Sequence, residues 1–342
     1  MKLKEAKEHS INIAEAEFPH SGTREEQLRF LLSYAVLAPS NHNTQPWKFC
    51  IHDDSLDVII DKSSALNFID PQLRQLTISC GAAIGMFEVA AKYFGYEPSV
   101  RVFEDGSDTI ANITLGQQIP ADPHTIRLFK AILHRQTNRR FFATTPVAKP
   151  VLKACKYLAA DSGVEFYYIT EQEDKVRVAN LSEVAIRQQH AQPWYRREFA
   201  SSLRGNASGK TGMSSFGFSS LNLPTFVARF IMVLFNIGKS SAQFNRRKIL
   251  NGSPAIGIFL TEEDEHKSWL NTGRSLSSVL LELSSQGLTA SYLNQAIEVD
   301  TLRPQLARIV SSRGFPQLMI RIGQAPKVKS SQRRSIDEVL LN

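Results

Sequence analysis

The run APSNHNTQPWKF, residues 38–49, places the side-chain amides of Asn41, Asn43 and Gln45 on alternate positions. An amide both donates and accepts, so a short row of them can match the alternating acceptors and donor along the edge of a flat heterocycle. Pro39 fixes the entry to the run, and Pro46 with Trp47 anchors its exit. The same residues also make an ordinary polar loop with a buried Trp. A second run, HRQTNRRFF at 134–142, alternates Arg135, Thr137 and Arg139. Forked guanidinium donors and a hydroxyl converging from one end of a turn are what a phosphate needs, although a solvated basic face reads the same way. In a third run, FNRRKILNGSPAIGIF, Asn245 and Lys248 stand three apart and share one face of a helix. An amide beside an ammonium can hold a carbonyl-bearing ring edge; the bland alternative is an amphipathic helix with surface cations.

The elements that must position these groups follow from periodicity. Leu28, Leu31, Leu32 and Ala35 predict a helix over 24–37, with Ser21 or Thr23 as its cap and Pro39 as its stop. Two short strands follow over 47–61, joined by a turn at Asp53, Asp54 and Ser55. A helix over 76–94 ends at Gly95, and strands over 99–104 and 109–116 complete the first part. The second part reads as a helix over 149–160, a strand over 164–170 and a polar helix from Glu171. Further on come a strand over 255–261, a helix over 271–286 and a strand over 289–294, then a helix over 301–310 and a strand over 317–323. Between them, residues 192–243 mix PWYRREF, a Ser- and Gly-rich piece, and the apolar run starting at Phe226; this reads as an inserted flap. Gly81 and Gly95 bracket the first long helix and Gly273 and Gly287 the second, both pairs offset by 192 residues. That offset suggests duplicated halves, 22–120 and 125–335, with the flap inside the second.

Composition sets the outer bounds. The chain has 342 residues, 42% of them apolar, enough for a sizeable core. Forty Lys and Arg against 33 Asp and Glu leave a net charge of +7. This excess suits an anionic small ligand and is too modest to argue for nucleic acid. Cys50, Cys80 and Cys155 lie far apart with no CxxC pair, which predicts reduced thiols, no metal site and a cytoplasmic setting. The charged start MKLKEAKEHS has no apolar signal core. The most apolar run is interrupted by Arg229 and is shorter than the ~20 residues of a membrane span, so no membrane partner is expected.

APSNHNTQPWKF closely resembles the PSxxNxQPW segment of the nitroreductase superfamily, whose members bind FMN between two subunits. Pro39, Ser40, Asn43, Gln45, Pro46 and Trp47 all fit. The chain looks most like the Acg-type branch, in which two nitroreductase-like halves are fused. The resemblance implies an α+β nitroreductase-like fold, with the two halves forming an intramolecular pseudo-dimer. It also implies that Pro39, Ser40, Asn41 and Asn43 lie along the FMN ring or ribityl chain. HRQTNRRFF is similar to the family's Arg-x-Ser/Thr-x-Arg/Lys opening, which implies Arg135, Thr137 and Arg139 at the phosphate and ring edge. The Asn245 and Lys248 pair resembles the family's Asn-x-x-Lys helix. Tyr292, Leu293, Asn294 and Gln295 would then occupy the strand under the ring, where family members often carry Pro-Ile-Glu-Gly, so backbone contacts are expected there. Ser331, Arg333 and Arg334 either reach the phosphate or form a disordered basic tail. The first half lacks its own RxTxR and the second its own amide loop, so one complete site is expected at the boundary between the halves. The implied activity is FMN-dependent transfer of electrons from NAD(P)H to a nitroaromatic or quinone-like acceptor, with no catalytic side chain, in a monomer. The rival reading is an FMN-sequestering protein with little turnover, its ring covered by flap aromatics Trp194, Tyr195, Phe199, Phe216 and Phe218.

Overall fold

The computed structural model describes residues 13–104, 106–204, 210–214 and 224–341. The first part runs α1 (Arg24–Ala35), β1 (Trp47–His52), β2 (Ser55–Ile60), α2 (Arg74–Tyr93), β3 (Tyr96–Val102) and β4 (Thr109–Gln118). A connecting α3 (Pro123–Ala131) leads to α4 (Lys149–Ala160) and β5 (Glu165–Ile169). β5 is followed by α5 (Gln172–Ala191), α6 (Pro193–Ser202), β6 (Leu203–Arg204), β7 (Met213–Ser214), α7 (Thr225–Leu234) and α8 (Gly238–Asn251). Then come β8 (Ala255–Thr261), α9 (His266–Ser285), β9 (Thr289–Tyr292), α10 (Arg303–Ile309), β10 (Phe315–Gly323), α11 (Ile336–Val339) and β11 (Leu340–Leu341). The flap aromatics Phe216 and Phe218 lie outside the described residues.

Two mixed α+β units emerge with one wiring. The first sheet is ordered β11-β1-β2-β4-β3 and the second β5-β8-β10-β9. Setting β11 aside, every neighbouring pair is antiparallel in both sheets. In each, the long helix enters between the second and third strands of the chain order: α2 between β2 and β3, α9 between β8 and β9. The first sheet joins β1 to β2 by a tight turn with Asp53 at φ 35°. The second joins the matching β5 and β8 through all of α5 to α8. β8 is buried at every residue, which is why AIGIFLT reads as an unbroken apolar run, whereas β2 alternates.

The two units meet where α2 crosses α9. A Cβ on Gly81 would stand 2.0 Å from the Leu270 carbonyl oxygen, and one on Gly273 would stand 2.0 Å from that of Ile78. The helices therefore touch backbone to backbone, which only glycine allows. Around this point Ser277 Oγ donates to the Ala82 carbonyl at 2.7 Å, and Arg274 forks onto Glu88 at 2.9 and 2.6 Å. Gly95 and Gly287, at φ +90° and +70°, end the two helices in left-handed turns. The glycine offset seen in the sequence thus marks two real features, a crossing point and a cap.

Local sequence accounts for the helix ends. Thr23 and Glu26 form a reciprocal capping box on α1. α9 begins at His266, five residues before the apolar periodicity shows, because its first turn is polar and is anchored by Trp269 Nε1 donating to Asp264 at 2.7 Å. The basic tail is ordered: β11 pairs in parallel with β1, Phe49 opposite Leu340, and carries the C-terminal segment back onto the first sheet.

Gly273→Ala should destabilise the protein by about 3 kcal/mol, since backbone on both helices must shift to admit a methyl group. Gly287→Ala, whose Cβ would meet nothing within 4 Å, should cost only ~1 kcal/mol for its left-handed φ. Thermal or denaturant melts of the two variants test this, and equal losses would refute a close-packed crossing.

Candidate functional site

Residues 40–45 form a tight, unusual turn. His42, Asn43 and Gln45 all have positive φ, at 49°, 57° and 52°. Asn tolerates this conformation; for His and Gln it costs on the order of 1 kcal/mol each, so surrounding bonds must hold them. Ser40 Oγ accepts from Gln45 N at 3.0 Å, closing the turn. Ser79 on α2, two residues before the crossing glycine, accepts from Asn41 N at 3.0 Å and ties the turn to the helix pair. Pro39 is buried beneath it.

The C-terminal segment completes the turn. Arg333 donates to Asn43 Oδ1 at 2.9 Å, and Asn43 Nδ2 donates to the Gln332 carbonyl at 3.3 Å. Arg334 donates from its backbone to Gln45 Oε1 at 2.8 Å and from its side chain to the Gln45 carbonyl at 3.2 Å. Its guanidinium also faces Asp61 at 3.6 Å. Arg334 thus fastens the tail, whereas Arg333 turns toward the boundary between the units. Ser331 is exposed and contributes its carbonyl to Arg333 at 3.2 Å.

Arg135 arrives there from the other side. It follows α3 and is 9% exposed, and it shares one acceptor with Arg333: both guanidinium groups reach the Leu37 carbonyl, each at 3.4 Å. Residues 136–138 then lie along β9. Thr137 bridges Ala290 in parallel and Asn138 N donates to the Ala290 carbonyl at 2.9 Å. This brings Tyr292 beside the cations. Burial pushes its phenol up to about 12, against the opposing pull of Arg135, Arg139 and Arg333. Burial brings the Arg333 guanidinium down to about 9, and neighbouring Arg135 adds to the shift. On α8, Lys248 is lowered to about 8, first by burial and then by the charges of Arg321 and Arg139. The His42 imidazole is lowered to about 3 by burial and by Arg139.

Like charges are therefore gathered without an anion. Among the described residues neither Arg135, Arg333 nor Lys248 forms a salt bridge to a carboxylate. Their neighbourhood also holds unspent hydrogen-bonding atoms. Arg135 Nε, Arg333 Nε and Tyr292 OH are buried without partners, three of the twelve such side-chain atoms among the described residues; Asn245 Nδ2 and Gln295 Oε1, on other candidate residues, are two more. Buried polar atoms are seldom left so, and a cluster of them marks a place built for another molecule. His42 Nδ1 is a sixth.

Not every candidate points there. Leu293 packs into the hydrophobic core beneath β10. Asn294 accepts from Met319 N at 3.1 Å and donates to Gln75 Oε1 at 3.5 Å, so its side chain is spent within the fold. Of three further contributors, Gln45 is singled out in the sequence as one of the amides, whereas His42 and Arg321 are not. Gln45 bonds both the tail and the flap. His42 meets Phe199 edge-on at 5.5 Å. Arg321, 1% exposed on β10, donates to the Gly252 and Arg140 carbonyls at 3.1 and 3.0 Å and shapes the Arg139 turn. A lone Arg in the apolar strand QLMIRIG was its signal.

The flap lies against this turn. The Lys210 carbonyl accepts from Gln45 Nε2 at 2.7 Å and Asn43 Nδ2 at 3.1 Å, and Gly212 N donates to the Asn43 carbonyl at 3.2 Å. Glu198 on α6 accepts from Phe68 N and Ile69 N at 3.1 and 2.7 Å. Trp194 stacks obliquely on Phe68, and buried Tyr195 stacks on Phe199. Among the described residues no His, Cys, Asp and Glu cluster could hold a metal, and the three cysteines are free.

Several relatives of the chain share one description, and others are named only as uncharacterized proteins. It is 28% identical over 323 residues, 92% of this chain and 91% of the relative, to the Mycobacterium tuberculosis protein named "Putative NAD(P)H nitroreductase Rv3131". It is 26% identical over 335 residues, 94% and 97% of the two chains, to "Putative NAD(P)H nitroreductase acg" of the same organism. The chain is a homologue of these nitroreductase-like proteins, and acg is the relative whose branch its motifs resemble. No family model matches the chain. Solved structures it is similar to include the FMN and NADPH-dependent nitroreductase NfnB of a Sphigopyxis strain, at 15% identity, 62% and 96% coverage and TM-score 0.40. Another is the NADPH:FMN oxidoreductase of Vibrio harveyi, at 10% identity, 61% and 73% coverage and TM-score 0.36.

The lowered Lys248 pKa gives a pH prediction. Between about 8 and its ordinary 10.5 the unfolded chain holds a proton that the folded one has released. The cost of burying the charge is fully present below that window, so ligand-free protein should gain stability as pH rises through it. Lys248→Met should flatten this rise in denaturant melts, and an unchanged slope would refute the buried-ammonium assignment.

Proposed function

We propose that the chain is an FMN-binding oxidoreductase of the nitroreductase type, holding one flavin at the boundary of halves 22–120 and 125–335. The pairing of Arg135 and Arg333 on one carbonyl carries the reading: a buried and a half-buried guanidinium group with idle Nε–H donors and no carboxylate suit a phosphate. Thr137 and Arg139 extend that end. Asn41, Asn43, Pro39 and Ser40 supply an amide-rich wall, and Asn245 and Lys248 supply a donor edge from α8. Tyr292 and Gln295 offer further polar atoms from the β9 side. Bound there, FMN would accept a hydride from NAD(P)H and hand electrons to a nitroaromatic or quinone-like acceptor. The protein's part is to orient the ring, exclude water and keep positive charge close to it, and no side chain is assigned acid–base work. The fused halves act as an intramolecular pseudo-dimer and the protein works as a monomer.

A second reading has its own support. Residues 192–243 act as a lid in it, because the Lys210 carbonyl, Gly212 N and the Phe199 ring all engage the Asn43 turn. A lid held by those bonds would sequester the flavin and slow its turnover.

Anaerobic mixing with NADPH or NADH separates the readings. Prompt bleaching of the flavin absorbance is expected for the oxidoreductase; bleaching by dithionite alone would leave the sequestering protein. Arg135→Ala and Arg333→Ala should each lower flavin retained through gel filtration about ten-fold or more, as loss of a charged hydrogen bond implies. Arg135→Ala should also raise the melting temperature of flavin-free protein, because it removes a buried charge with one long hydrogen bond and no ion pair. Undiminished flavin content in both variants would remove the phosphate assignment.

A further inference from the structure

α7 is turned inside out. Its one charged residue, Arg229, points inward, with Nε donating to the Leu203 carbonyl at 3.0 Å and Nη2 to that of Ser201 at 3.3 Å. Its apolar row points outward. Phe226, Phe230 and Leu234, spaced i, i+4 and i+8, are 74%, 63% and 55% exposed, and Phe235 just beyond is 59% exposed. No residue of α7 is buried. A helix resting on a globular core shows the opposite arrangement, and a contiguous exposed patch of this kind marks a face that meets something apolar.

The charge around it names the partner. Residues 187–251 hold ten of the chain's 40 Lys and Arg but one of its 33 Asp and Glu, Glu198. That stretch alone is +9, and the remainder of the chain is −2, against a total of +7. Arg197, Arg204, Lys239 and Arg247 are exposed, and among the described residues none forms a salt bridge. We propose that α7 lies flat on an anionic lipid surface. Phe226, Phe230 and Leu234 enter the boundary between headgroups and acyl chains, and the flanking cations meet headgroup phosphates. A second copy of the chain is the poorer partner, because pairing through α7 would bring together two sets of the exposed cations Arg197, Arg204, Lys239 and Arg247, whereas Arg187, Lys210 and Arg246 are already paired with Glu183 and Glu338. Nucleic acid would engage the cations and leave the aromatic row in water. Among the described residues no helix is long and apolar enough to cross a membrane. The expectation of no membrane partner rested on that spanning criterion, which a helix lying in the interface does not need to meet.

Sedimentation with vesicles tests the proposal on the full chain. The protein should pellet with phosphatidylcholine vesicles containing phosphatidylglycerol and stay in the supernatant with phosphatidylcholine alone. The double variant Phe226→Ser, Phe230→Ser should partition ~10-fold less, and added salt should release the wild type. Both positions are exposed, so the variant's melt and circular dichroism should match the wild type. Failure to bind phosphatidylglycerol vesicles overturns the proposal, as does equal partition of variant and wild type. Two further results would also overturn it by reassigning the face: a dimer in sedimentation equilibrium abolished by the double variant, or heparin binding that outcompetes the vesicles and ignores the substitutions.

Discussion

The contact on which the molecule depends is the crossing of α2 and α9. Two glycines let the helix backbones touch, and the serine and salt-bridge contacts around them lock the angle. Everything at the boundary is measured from that point. Ser79 holds the amide turn from one side of it. From the other, α9 leads through the Gly287 cap into β9, along which Thr137 and Asn138 lie. A looser crossing, with side chains between the helices, would move the amide turn and the arginines apart by the thickness of those side chains.

The boundary is electrostatically unfinished. Globular proteins pair buried charges because an isolated one is costly to desolvate. Here Arg135 and Arg333 share a neutral carbonyl, and the Lys248 ammonium lies over the face of Phe244 at 4.4 Å with no salt bridge among the described residues. Three left-handed residues in the adjoining turn add backbone strain. Both features burden the fold, and the unpaired cations are what a bound anion would offset.

The stretch between β5 and β8 answers a different demand. Where the first unit spends a tight turn, the second spends four helices. Their polar contacts reach the amide turn through Lys210 and Gly212, while α7 presents its phenylalanines away from the core. One segment therefore connects the boundary site to an exposed apolar helix face.

Much of this was written locally. Capping boxes, the Asp53 turn, terminal glycines and two strand periodicities act over a few residues, so α1, α4 and the β1–β2 hairpin could be read directly. The sequence also held the glycine offset, though not its meaning: that Gly81 and Gly273 touch is a fact about two residues far apart in the chain. Only the tertiary structure decided that Arg333 and Arg135 meet on one carbonyl, that Arg334 and Asn294 are spent within the fold, and that Arg229 faces in while Phe226 faces out. Those outcomes depend on which long-range neighbour supplies an acceptor or an apolar surface, and no local pattern encodes the neighbour.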